Sequence, residues 1–129
     1  MITVRLDSPL PLVEQITAGV RAAIAAGELA PGDPLPTVRQ LAADLGVNLN
    51  TVSRAYRELE RTGLVATHRG RGTTVAAATF TPPTPKPHVR RGLAERLRGI
   101  CSDARLSGLD RNDVEQLLQQ QLNTFFPRS

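Results

Sequence analysis

The sequence predicts a mainly α-helical chain with one small β element, on three observations. Residues 35–63 hold two short amphipathic patterns separated by a single glycine, Gly46. Directly behind them, two short β-favouring runs, 64–68 and 73–76, flank the tip Arg69-Gly-Arg-Gly72. Beyond a proline-rich stretch, two further helical patterns close the chain. A helix pair joined by a tight turn and backed by a hairpin is the pattern of a winged helix-turn-helix. The expected architecture is mainly α with a small β wing: a winged helix-turn-helix followed by a two-helix C-terminal dimerisation hairpin. The expected boundaries are 1–78 for the winged domain, 79–88 for a proline-rich linker and 89–126 for the helical module.

Each element has a local reason. Ile2, Val4 and Leu6 alternate with Thr3 and Arg5, which suits a short strand. Ser8-Pro-Leu-Pro11 breaks that run and fits a helix start, with Pro11 near the first helical position. Leu12, Ile16, Val20, Ala23 and Ile24 then repeat at helical spacing up to Gly27. Residues 27–36 are too rich in glycine and proline for a regular helix, and Leu29 and Leu35 are expected to tuck beneath the domain. Thr37 with Gln40 makes a capping box for the second helix. Val38, Leu41, Ala42 and Leu45 form its apolar face. Gly46 supplies the positive φ of its C-terminus, and Val47 plugs the turn. Asn48 can cap the third helix. Val52, Ala55, Tyr56 and Leu59 form that helix's buried side, and Gly63 ends it.

The other side of the third helix carries Asn50, Ser53, Arg54, Arg57 and Arg61, with Thr51 near its start. Arginine can fork onto guanine edges, asparagine can bond adenine, and serine or threonine can reach phosphate or either base type. A helix-turn-helix sets its second helix in the major groove with the N-terminal residues foremost. Asn48, Asn50, Thr51 and Arg54 sit there, and Thr37, at the start of the preceding helix, is a further expected contact. A merely solvated polar face is the alternative; the turn in front and the hairpin behind favour DNA. At the wing tip, Arg69 and Arg71 lie with His68, Gly70 and Gly72. Glycine admits close approach of a backbone, and arginine favours a narrow minor groove. A plain polar hairpin loop is the competing reading.

Composition is compatible with this. The 129-residue chain is 40% hydrophobic and only 3% aromatic, so its core must be aliphatic. Its formal net charge is +4, which suits an anionic partner. Lys86 is the only lysine, and an arginine-rich composition alone carries little weight as a binding signal. No run approaches the roughly 20 apolar residues of a membrane span, so no membrane partner is expected and a cytoplasmic, nucleoid-associated location is. Cys101 is the only cysteine, and His68 and His88 are the only histidines. Nothing matches a metal spacing, a P-loop or a nucleophile elbow, so neither an enzyme nor a cofactor is expected.

Residues 79–88 are expected to be stiff and extended because of their prolines. In the tail, Leu93, Leu97, Ile100, Cys101 and Ala104 form one stripe. Val114, Leu117, Leu118, Leu122 and Phe125 form another, after Asp110 as cap, and Pro127 closes it. About 40 residues are too few to bury two stripes alone. A second copy is the simplest partner, so Leu93, Leu97, Ile100, Cys101, Val114, Leu117, Leu118 and Leu122 are expected at a homodimer interface. Two helices cannot enclose a ligand cavity of about 300–1,000 Å³. A small-molecule effector, if there is one, must use that interface or the cleft beside the winged domain.

The segment from Leu12 to Val75, about half the chain, closely resembles the DNA-binding domain of the GntR family of bacterial transcriptional regulators. Its blocks are Gly27-Glu-Leu-Ala-Pro-Gly-Asp33, Leu35-Pro-Thr-Val-Arg-Gln-Leu-Ala42, residues 46–59, Gly63-Leu-Val65 and Arg69-Gly-Arg-Gly-Thr73. The short tail and Asn48-Leu-Asn-Thr-Val52 with Arg54-Ala-Tyr56 resemble its YtrA-like branch. The resemblance implies a homodimer on a palindromic double-stranded DNA operator, usually as a repressor, often of genes for ATP-driven transporters. It assigns DNA contact to Arg39, Asn48, Asn50, Thr51, Ser53, Arg54 and to Gly70 with its neighbours. Some relatives carry arginine where this chain has Leu49, so their operator cannot be copied. A winged helix that binds protein or RNA without operator specificity is the alternative function.

Overall fold

The computed structural model describes residues 2–70, 72–76 and 86–128. These run through α1 (Leu12–Ala25), α2 (Val38–Leu45), α3 (Leu49–Arg61), β1 (Val65–His68), β2 (Gly72–Val75), α4 (Pro87–Leu106) and α5 (Arg111–Phe125). The chain divides into two compact units, Met1–Pro82 and Pro83–Ser129.

In the first unit α1 packs mainly on α3, α2 packs on α3, and β1 closes against α3. Ile16 and Val20 from α1 join Val52, Ala55 and Leu59 from α3, with Val65 and Val75, in one aliphatic core cluster. Leu29 and Leu35 are buried there as their apolar character demands, despite their irregular surroundings. β1 and β2 pair antiparallel with Val65 opposite Val75 and His68 opposite Gly72. The segment before α2 extends this sheet. Leu35 N–H donates to Thr73 O at 2.8 Å, and Val75 N–H donates to Asp33 O at 2.9 Å.

The expected strand near the N-terminus does not form. Residues 2–5 belong to no strand. The Gln15 side chain instead takes Arg5 N–H at 2.7 Å and donates to Arg5 O at 3.0 Å and Leu10 O at 2.7 Å. A side-chain amide thus satisfies both backbone groups of Arg5, which a ladder could have used. Ile2 anchors the segment by packing over Gly19, where a Cβ would lie 3.2 Å from Ile2 Cγ2.

The second unit is a helical hairpin turned at Gly108, with Leu109 N–H bonded to Ala104 O at 3.0 Å. Asp110 and Asp113 form a capping box at the start of α5. α4 begins at Pro87, so Pro87 and His88 are its first turn and not the end of an extended linker. Proline suits that position because its missing N–H would have had no partner there. Lys86, extended at φ −93° and ψ 145°, precedes that helix, and the remaining linker residues 79–85 lie outside the described residues.

Candidate nucleic-acid interface

The helix-turn-helix is fixed by reciprocal local bonds. Thr37 Oγ1 accepts from Gln40 N–H at 3.0 Å, and Gln40 Oε1 accepts from Thr37 N–H at 2.9 Å. Gly46 ends α2 at φ 69°, a left-handed conformation that costs a side-chain-bearing residue about 1–2 kcal/mol. Val47 N–H returns to Ala42 O at 3.0 Å, and Val47 packs on the core. Asn48 Oδ1 caps α3 by accepting from Asn50 N–H at 2.7 Å. Its amide N–H groups remain available as donors, as does the Thr37 hydroxyl proton.

α3 is sharply two-sided. Val52, Ala55, Tyr56 and Leu59 are buried. On the opposite side, Asn50, Arg54, Arg57 and Arg61 follow one another at helical spacing, and all are exposed. Thr51 and Ser53 are half-buried on the flanks. Arg39 stands exposed in the first turn of α2. Among the described residues, Arg39, Arg54 and Arg57 take part in no ion pair.

Arg61, the last of the row, is paired within its own helix. Its guanidinium forks onto Glu58, Nη2 to Oε1 at 2.6 Å and Nε to Oε2 at 3.1 Å. The hydrogen bond from Arg61 holds the Glu58 carboxyl below its usual range. The carboxylate neutralises the last arginine of the row, so the unpaired cations gather in the N-terminal two-thirds of α3. The i,i+3 spacing of these residues was a signal for that pair in the sequence. The first turns of α2 and α3 contain no acidic residue. An acid there would favour the helix dipole but repel phosphate.

At the wing, His68 Nε2 lies 3.2 Å from Thr74 Oγ1, and Thr67 and Thr73 hydroxyls meet at 3.3 Å across the strands. Arg69 is exposed, and Gly70 turns the tip at φ 79°. Gly72 starts β2, exposed. Arg71, also expected here, lies outside the described residues. All the described DNA-facing candidates belong to the first unit, and all the expected dimer residues belong to the second.

In the second unit Ala104 is the one buried residue among those described. Leu93, Leu97, Ile100, Leu117, Leu118 and Leu122 are each 41–60% exposed. Cys101 is exposed and Val114 half-buried. Cys101, Arg105, Leu109, Arg111, Val114 and Leu118 line an open groove of about 710 Å³ between α4 and α5. As expected for two helices, it is not enclosed. Among the described residues no helix is long and apolar enough to cross a membrane.

Comparison with known proteins agrees with this geometry. The family model of bacterial regulatory proteins, gntR family, matches residues 12–75. The HTH-type transcriptional repressor YtrA of Bacillus subtilis is 35% identical over 120 residues, covering 93% of this chain and 91% of its own. A solved structure from Listeria monocytogenes EGD-e, described as a transcriptional antiterminator, superposes with a TM-score of 0.75 at 30% identity, over 94% of this chain and 89% of that one. The DNA-binding domain of AraR, solved in complex with operator ORX1, has a TM-score of 0.53 at 28% identity, over 57% of this chain and 94% of its own.

Proposed function

The chain belongs to the gntR family of bacterial regulatory proteins, and from that premise we propose that it represses transcription as a homodimer on a palindromic operator. It is a DNA-binding transcriptional regulator, and its family is one of regulators and not of enzymes. The observation that carries the finer reading is α3: one side locked into the core, the other presenting Asn50, Arg54 and Arg57 to solvent. Those groups match base edges in the major groove. With α3 in the groove, Arg39, Thr37 and the cap residue Asn48 would hold the flanking phosphates. Thr51 and Ser53 sit on its margins, and the wing residues His68, Arg69, Gly70, Arg71 and Gly72 are the proposed contacts to the neighbouring backbone or minor groove.

The tail supports the dimer. A hairpin with a single buried residue among those described has too little core of its own, whereas a second copy would cover both apolar stripes. The same event would roof the groove beside Cys101 and create an enclosed site for a small effector at the interface. The protein then works in the cytoplasm, associated with the nucleoid. Selection of the full chain against a pool of random duplexes tests the function. The expected result is one two-fold symmetric sequence bound about 10³-fold or more above random DNA at physiological salt. Binding with a steep salt slope and no sequence preference would reduce the protein to a basic-patch binder. Preference for RNA would point to the other winged-helix use.

A further inference from the structure

Leu49 is the first residue of α3, directly after the cap Asn48, and remains 44% exposed. Among the described residues of the first unit, the other exposed large apolar side chains are Leu6 and Leu10, both in the segment before α1. Leu49 is therefore the one such side chain on a regular element. It does not join the core cluster that Val52, Ala55, Tyr56 and Leu59 enter. At helical spacing it lies between that buried stripe and the row of Asn50, Arg54 and Arg57, at the end that enters a groove first. A leucine side chain offers no hydrogen bond, so it can hold neither a phosphate nor a polar base edge. The one apolar group exposed in the major groove is the thymine C5-methyl.

We propose that Leu49 is a specificity-determining residue that reads the 5-methyl group of a thymine in each half-site. This rests on the operator binding proposed above and adds a base identity to it. Polar neighbours fix the helix by hydrogen bonds, and Leu49 then sets one position by shape and desolvation. Removal of that methyl group returns a methyl-sized patch of the leucine to water, worth about fourfold in affinity per half-site.

The test uses the full chain and the duplex it selects from the random pool. Each thymine is replaced in turn by deoxyuridine, which removes only the methyl, and binding is followed by fluorescence anisotropy. One position per half-site should bind about fourfold more weakly with the wild type and without penalty with Leu49→Ala. Alanine is a good helix former, so circular dichroism of the variant should match wild type. Equal binding of all the deoxyuridine duplexes, or the same penalty in Leu49→Ala, would overturn the assignment while leaving operator binding intact. Failure to select any sequence would instead overturn operator reading itself, and this assignment with it.

Discussion

The hydroxyl of Tyr56, on the buried side of α3, donates to the carbonyl oxygen of Pro36 at 2.6 Å. Pro36 immediately precedes Thr37, which caps α2. One bond therefore ties the start of the first helix of the pair to the middle of the second, and sets how α3 is held out toward a partner. Tyr56→Phe keeps the ring and removes this bond. The expected loss is about 0.5–1.5 kcal/mol, seen as a melting temperature several degrees lower. An unchanged melting temperature would show that water serves Pro36 equally well.

Tyr56 is the only tyrosine in the chain, so its ionisation can be followed alone. Burial pushes its pKa up from 10.0 to about 12. The neutral phenol is thus favoured in the folded state. Below pH 10 both states keep the proton and this group adds no pH dependence. Between pH 10 and about 12 the unfolded chain releases its proton first, so stability falls as pH rises through that window. Tyrosinate absorbance should appear near pH 12 or together with loss of helical circular dichroism. Titration at 10.0 with the helices intact would mean the phenol is open to water.

Loss of the capping box at α2 should be costly without touching the core. Thr37→Ala removes the acceptor for Gln40 N–H, an expected loss of about 1 kcal/mol. Thr37→Asn, which can still cap, should recover most of it. Equal stability of all three in urea denaturation would count against the cap.

The arginines of α3 should separate by their partners. Arg54→Ala is expected to weaken operator binding by about 1–3 kcal/mol and to relax one base position. Arg61→Ala should change affinity little, because its guanidinium already serves Glu58. Titrations on operator and random duplex check both. Equal loss on the two DNAs for Arg54→Ala would make it a phosphate contact.

Charge placed on the exposed stripes should split the proposed dimer. Leu97→Glu with Leu118→Glu is expected to sediment as monomer and to bind a single half-site weakly, with the melting of the winged unit unchanged. A wild-type chain that sediments as a monomer at micromolar concentration removes the premise.

Much of this was legible in the residues. The caps Thr37, Asn48 and Asp110, the turn at Gly46 and the buried stripe of α3 all follow from preferences within four residues of each position. The exposed row of Asn50, Arg54 and Arg57 follows from the same periodicity. What the sequence did not reveal depends on which distant segment comes to lie opposite. Residues 2–6 alternate like a strand, yet the backbone N–H and O of Arg5 go to the Gln15 side chain. Asp33–Leu35 looks like a loop, yet it lies along β2. The link from Tyr56 to Pro36 spans twenty residues of chain. Local sterics and hydrogen bonding set each element, so the sequence declares the elements. Only the closed core decides which backbone groups meet, because that choice is made by the burial of all the stripes together.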